Sequence, residues 1–363
     1  LTSSVNPTAG FENLRTLSRQ LAGRQTVPGS RLLVVTTGLV ALAGEQTIDP
    51  AKSLLLGPAR VLSREVPGCE ARVIDLADQG PSSLLIDALL NEARDEANNS
   101  LVLWRNHRRW TEDVVAVPRQ PANVHSVDFT GVTLITGGLG GLGETLATAL
   151  ATNPAAQLLL IGRTPLQPTL EVKLARLRQS GATVDYRTVD VCDEAALLAL
   201  REDFFTADRP CRRIIHAAGI PASGTLLRSD TEKASRVLAP KVAGTLGLWR
   251  VFGEQPSGGL VLMSSLSARL GEFGQADYAA ANAFLDAFAT AYHTLERPII
   301  SLAWDAWDEV GMAARLGTSP QLAAWHESRR PRLIKPADGV AAFHAAVALG
   351  EPHVLITTHD LAD

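Results

Sequence analysis

A mostly parallel, doubly wound α/β architecture is predicted by three features of the sequence. Short β-branched runs alternate with helical stretches along its 363 residues, a pattern that implies parallel strands joined by crossover helices. A glycine cluster in LITGGLGGLGE follows one such strand and opens a helix, the context a phosphate-binding turn requires. The alternation also begins twice, near residues 31 and 132, with a polar, proline-containing joint at 118–123 between the two starts. These features predict two Rossmann-like subdomains. Residues 1–125 form a truncated structural one without a cofactor site, and 126–363 a complete catalytic one.

In the first half, RLLVVTTG from Arg31, RVIDL at 72–76 and SLVLW at 100–104 read as strands. The stretch 81–91 reads as a helix whose serines can cap its start. After RLLVV comes TTGLVALAGEQ, which has no clustered glycines, so this half looks like a dinucleotide fold lacking its phosphate loop. In the second half, strands are expected at 132–135, 157–161, 183–189, 213–216, 259–263 and 298–303, with the helix ETLATALAT after the glycine turn. The stretch from Trp304 to about 332 mixes Trp, Pro, Gly and charge and is too long for a tight connection. Residues 312–330, beginning at Met312, are expected to form a lid over the substrate.

Hydrophobic residues make up 46% and charged residues 20%, enough apolar material for a sizeable core. A net charge of −4 provides no basic field for nucleic acid. No apolar run reaches the ~18 residues of a membrane span. The three cysteines show no metal-binding or disulfide spacing, so a reducing, cytoplasmic setting and no metal are expected. The chain does not start with Met, which suggests an excised or processed fragment, expected to be monomeric.

Gly137, Gly138, Gly140, Gly141 and Gly143, with Thr136 and Leu142 beside them, form the expected pyrophosphate site. Missing Cβ atoms allow a tight turn and a close approach of backbone N–H groups, and the following helix directs its positive end at the phosphates. Arg163 lies 20 residues after Gly143, at the end of the next strand. An acid there would bind a ribose 2′-hydroxyl, whereas an arginine offers a cation to a 2′-phosphate, which favours NADPH. Asp190 and Val191 follow the third strand of this half and are expected at the adenine edge. His216, Ala217, Ala218 and Gly219 follow the fourth, where small residues let the chain pass close to the cofactor.

Reducing a ketone requires hydride at carbon and an acid at oxygen. Tyr278 is the expected acid, and Asn282, four residues on, shares its helix face. Ser265 ends a strand 13 residues earlier and is expected to hydrogen-bond the substrate carbonyl and the tyrosine hydroxyl. A nearby ammonium would draw the tyrosine pKa down from about 10. Lys241, in the otherwise apolar LAPKVAGTLGLW, is the candidate.

GGLGGLG, HAAG, APKVAG, the serine, YAAAN and WDAW together resemble the ketoreductase domains of modular polyketide synthases, within the short-chain dehydrogenase/reductase superfamily. The resemblance covers essentially the whole chain. It implies a swapped lysine and asparagine, as Lys241 and Asn282 stand here, together with NADPH and a β-ketoacyl thioester substrate. It also implies an acyl carrier protein bearing that substrate and other synthase domains as partners. Two stereochemical fingerprints of the family are missing. Pro221, Ala222 and Ser223 stand where one group has Leu-Asp-Asp, and Leu270 stands where another has tryptophan. Gln275 and Ala280 replace a histidine and a proline of particular subtypes. Ser223, Leu270, Gln275 and Met312 are expected to face substrate or lid. Two other readings are a free-standing reductase of a diffusible ketone and a non-reducing structural domain.

Overall fold

The computed structural model describes residues 7–24, 29–42, 48–76, 82–95, 97, 99–106, 108–117, 131–253, 258–311 and 330–361. The joint at 118–123 and residues 312–329 of the expected lid, including Met312, lie outside the described residues. Strands are β1 (Ser30–Thr37), β2 (Cys69–Leu76), β3 (Leu101–Arg105), β4 (Arg108–Thr111), β5 (Gly131–Thr136), β6 (Ala156–Gly162), β7 (Thr183–Thr188), β8 (Cys211–His216), β9 (Leu260–Ser265), β10 (Ile299–Trp304) and β11 (His353–Ile356). Helices are α1 (Ala9–Ala22), α2 (Leu56–Glu65), α3 (Ser82–Arg94), α4 (Gly141–Ala151), α5 (Pro168–Gln179), α6 (Glu194–Phe204), α7 (Thr231–Phe252), α8 (Ser267–Leu270), α9 (Ala276–Tyr292) and α10 (Pro336–Leu349).

Contacts divide the chain into two compact units. The first comprises Leu1–Arg119, Ala222–Leu238 and Ser267–Ala291, and the second Gln120–Pro221, Ala239–Leu266 and Tyr292–Asp363. This differs from a single cut near residue 125, because two later stretches group with the N-terminal part. Packing explains the grouping. Ala268 and Ala283 share one apolar core with Leu14, Leu56, Val73 and Leu101. Gly57 in α2 lies so close to α9 that a Cβ there would sit 2.2 Å from the Ala276 carbonyl oxygen and 2.5 Å from the Ala280 nitrogen.

The first unit has a four-stranded sheet in the order β1-β2-β3-β4. β1, β2 and β3 are parallel, and β4 runs antiparallel to β3. Asn106, at a left-handed φ of 49°, starts the turn into β4. That strand reads RRWT, without apolar alternation, so the sequence pattern does not predict it.

The second unit holds a seven-stranded sheet, all parallel, in the order β11-β10-β9-β8-β5-β6-β7. Its central strands are continuous apolar runs because both faces are covered, and all six residues of β10 are buried. Trp304 and Trp307 stack edge to face at 4.9 Å inside the core, and the Trp307 ring fills the space where a Cβ on Gly339 would be. The strand order reverses between β5 and β8. Open parallel sheets bind ligands beyond the carboxyl ends of strands at such a point. Among the described residues, no helix is long and apolar enough to cross a membrane.

Candidate active site

The glycine turn leaves β5 at this switch point. Gly137 takes a φ of +64°, and its N–H donates to the Ile161 carbonyl at 2.8 Å, tying the turn to β6. Several of its glycines cannot be replaced without displacement. A Cβ on Gly143 would lie 2.2 Å from the Gly137 oxygen, and one on Gly138 2.8 Å from the Leu160 Cβ. One on Gly141 would lie 2.4 Å from the Gly311 nitrogen. Gly140 caps α4 without a side-chain bond, so the first amides of the helix are served by no capping side chain. The turn therefore has the narrow, donor-rich form that fits a pyrophosphate.

Ala217 and Ala218 pack against the turn, where a Cβ on Gly137 would come within 3.0–3.1 Å of their backbone. The imidazole of His216 points inward, fully buried. Its Nε2 lies 2.9 Å from the Pro240 carbonyl, which can only accept, so Nε2 carries the proton. Nδ1, 2.6 Å from the Thr136 hydroxyl, accepts from it, and that hydroxyl in turn accepts from the Ala218 amide. Burial and then the charge of Lys241 push the imidazole down to about 3, so it stays neutral and structural. The side chains of Thr136 and His216 thus tie β5, β8 and α7 together rather than facing a ligand. Lys241, next to Pro240, is 4% exposed and donates to the Met263 carbonyl at 2.7 Å, two residues before Ser265.

At the other side of the turn, Arg163 is exposed at the end of β6. The Asp190 carboxylate accepts from the Cys192 amide at 2.9 Å. Val191 is buried, and a Cβ on Gly244 of α7 would lie 2.9 Å from it, so its side chain belongs to the core. Leu142 is half-buried against the second unit's core, and a Cβ on Gly311 would meet it at 2.7 Å.

In the first unit, α9 carries Tyr278, half-buried, and Asn282, fully buried. The Asn282 amide donates to the Tyr278 carbonyl at 2.8 Å, bracing that turn of the helix. Gln275 supplies the carbonyl that the Ala279 amide uses at the start of α9, and its side chain donates to Glu272. Leu270 is exposed. Ser223 is turned inward, its amide 3.2 Å from the Asp277 carboxylate and its hydroxyl bonded to Asp277 and Ser229.

The turn after β1 holds a feature that the sequence pattern did not reveal. The Leu39 and Val40 amides donate to the two oxygens of the Asp75 carboxylate at 3.0 and 3.1 Å. Arg105, at the end of β3, donates to the same carboxylate at 2.7 Å and to the Asp75 and Val40 carbonyls. Asp75 is 0% exposed. Backbone donors in the position that a phosphate loop would use here face a fixed protein anion.

A switch-point glycine turn with a serine-ended strand and a tyrosine-bearing helix downstream is the arrangement of the short-chain dehydrogenase/reductase class, and Asn282 stands here four residues after the tyrosine, with a buried lysine at Lys241. A family model for the KR domain matches residues 131–309. The chain is 32% identical over 342 residues to the spectinabilin polyketide synthase system protein NorA′ of Streptomyces orinoci, covering 92% of this chain and 9% of that protein. It is 31% identical over 336 residues to erythronolide synthase EryA3 of Saccharopolyspora erythraea, covering 91% and 10%. Among solved structures, A-type ketoreductases from a modular polyketide synthase align at a TM-score of 0.84 and 28% identity, over 96% of this chain and 73% of that one. The chain spans about a tenth of the length of these two curated relatives. It belongs to the ketoreductase domains of modular polyketide synthases. It is accordingly an oxidoreductase of a family that binds a nicotinamide cofactor.

Proposed function

We propose that the chain reduces the β-keto group of a polyketide intermediate, held on the phosphopantetheine of an acyl carrier protein, to a β-hydroxyacyl thioester, with NADPH as the cofactor. One observation carries the reading: the second unit pairs a glycine turn that excludes Cβ atoms with a buried lysine tied to the strand that ends in Ser265. Residues 137–143 would hold the pyrophosphate and Arg163 the 2′-phosphate, and reduced nicotinamide supplies hydride. Tyr278 donates its phenolic proton to the ketone oxygen, and Ser265 hydrogen-bonds that oxygen. The Lys241 ammonium favours loss of the tyrosine proton, because opposite charge stabilises the phenolate. Asn282 fixes the turn of helix that presents the tyrosine. The N-terminal residues 1–125 serve structurally and bind no nucleotide, a reading supported by the Asp75 carboxylate on the amides after β1. The partners are an acyl carrier protein and neighbouring synthase domains, in the cytoplasm.

The reading is tested by supplying NADPH with a carrier-bound 2-methyl-3-ketoacyl thioester and resolving the product by chiral chromatography. A β-hydroxyacyl product with stoichiometric NADPH loss is expected. No product would overturn the reading, and an equal kcat/KM on a diffusible ketone would favour a free-standing reductase.

Cofactor choice is tested at one residue. Arg163→Ala is expected to weaken NADPH by about 1.5–3 kcal/mol, the range for a hydrogen bond to a charged group, and to leave NADH almost unchanged. Fluorescence titration reads both affinities, and equal losses would remove the 2′-phosphate role.

A further inference from the structure

One face of α2 runs along the segment that leads into the tyrosine helix. Gly57 meets Ala276 and Ala280 of α9 at backbone distance. The Arg60 guanidinium donates to the Ala268 carbonyl in α8. A Cβ on Gly271 would lie 2.6 Å from the Arg60 Cβ, and Gly271 adopts a φ of +63° there. At the end of the same face, the Glu65 carboxylate accepts two backbone amides through separate oxygens, Leu226 at 2.6 Å and Gly274 at 3.0 Å. One carboxylate thus holds two loops, 222–229 and 271–275, which are about fifty residues apart in sequence. Each loop is also tied to the start of α9. Ser223 reaches Asp277, the residue before Tyr278, and Gln275 supplies the first helical acceptor. The two loops and the adjoining helix expose the apolar side chains of Leu227, Leu270 and Phe273, which are 51%, 40% and 65% accessible.

We propose that Glu65, in the N-terminal part of the chain, is a positioning residue for the reduction: by accepting the Leu226 and Gly274 amides it sets the two substrate-facing loops relative to Tyr278, and so decides which face of the ketoacyl substrate is presented. The proposal rests on the functional reading above. The chemistry suits the task, because a carboxylate held by backbone amides fixes loop position whatever the loop side chains are, and charge-assisted bonds are the stronger kind. Burial, and less strongly the Asp277 carboxylate, raise the Glu65 carboxyl, and the Leu226 and Gly274 amides counter them by bonding the ionised form. Asp277, whose carboxyl is likewise raised by burial, anchors the other end of loop 222–229 through Ser223.

The test uses the full chain and Glu65→Gln, in which one carboxylate oxygen becomes an NH2 that cannot accept. Three measurements are made: the diastereomer ratio and the KM and kcat for a racemic 2-methyl-3-ketoacyl N-acetylcysteamine thioester, the NADPH affinity, and hydrogen exchange at the Leu226 and Gly274 amides. The expected result is a KM raised about 10-fold, a product ratio moved toward even, unchanged NADPH affinity and faster exchange at one or both amides, in line with the loss of one charge-assisted bond. A purely structural glutamate would lower the yield of folded protein without moving the product ratio or KM of the folded fraction, and that outcome overturns the proposal. Unchanged exchange at both amides overturns it as well. If the wild-type chain reduces no thioester, the functional reading fails separately, and exchange alone decides whether Glu65 holds the loops. Should Glu65→Gln not fold, Glu65→Asp, which keeps the charge but shortens its reach, is read against the same outcomes.

Discussion

Tyr278→Phe is expected to lower kcat by about 10²–10⁴-fold, the usual contribution of a positioned general acid, while NADPH affinity stays unchanged. The substitution removes one phenolic O–H and keeps the ring. The start of α9 is held by the Gln275 carbonyl, and the Asn282 amide braces the Tyr278 carbonyl. The glycine turn and Arg163 belong to other segments of the chain, so cofactor binding has no reason to change. Single-turnover reduction of the thioester, with NADPH titrated separately, separates chemistry from binding. A variant that keeps half of the wild-type kcat would remove Tyr278 from the role of acid.

The largest expected loss of stability comes from Asp75→Ala. The substitution leaves Arg105 buried without its carboxylate and the Leu39 and Val40 amides without their acceptor. Breaking a buried ion pair from one side costs about 3–5 kcal/mol, because the remaining charge stays desolvated. Urea denaturation followed by circular dichroism is expected to show the first unit melting at a markedly lower midpoint. A loss below about 1 kcal/mol, the value of an exposed pair, would show that the carboxylate does not hold the turn. Adding NADPH is not expected to rescue the variant, since the reading assigns no nucleotide to this unit.

Much of the second unit was legible because its central strands are buried on both faces and read as apolar runs, as in LLLI of β6 and IISLAW of β10. The glycine turn was legible because a missing Cβ has few other uses at that density. What could not be read was direction. His216 and Val191 lie where expected along the chain, yet their side chains turn into the protein, and Ser223, expected to face substrate or lid, bonds Asp277. Helix and strand periods report which residues are apolar, not which polar groups find one another across long separations. The Glu65 tether spans 161 residues to Leu226 and 209 to Gly274, and no local pattern announces it. Asp277 left a faint signal, an acid in the first turn of a helix beside the expected tyrosine. The edge strand β4 and the Asp75–Arg105 pair left none.

The six interleaved stretches that make up the two units impose an order on biosynthesis. The N-terminal 119 residues leave the ribosome long before the 267–291 stretch that completes their unit. Until it arrives, Gly57 and the α2 face around it have no helix to pack on, and Glu65 lacks the Gly274 amide. The nascent first unit therefore waits with apolar surface uncovered, the condition in which partly made chains recruit chaperones or aggregate. Slow translation between residues 120 and 291 lengthens that wait, so codon choice over this interval bears on how much of the enzyme reaches its folded state.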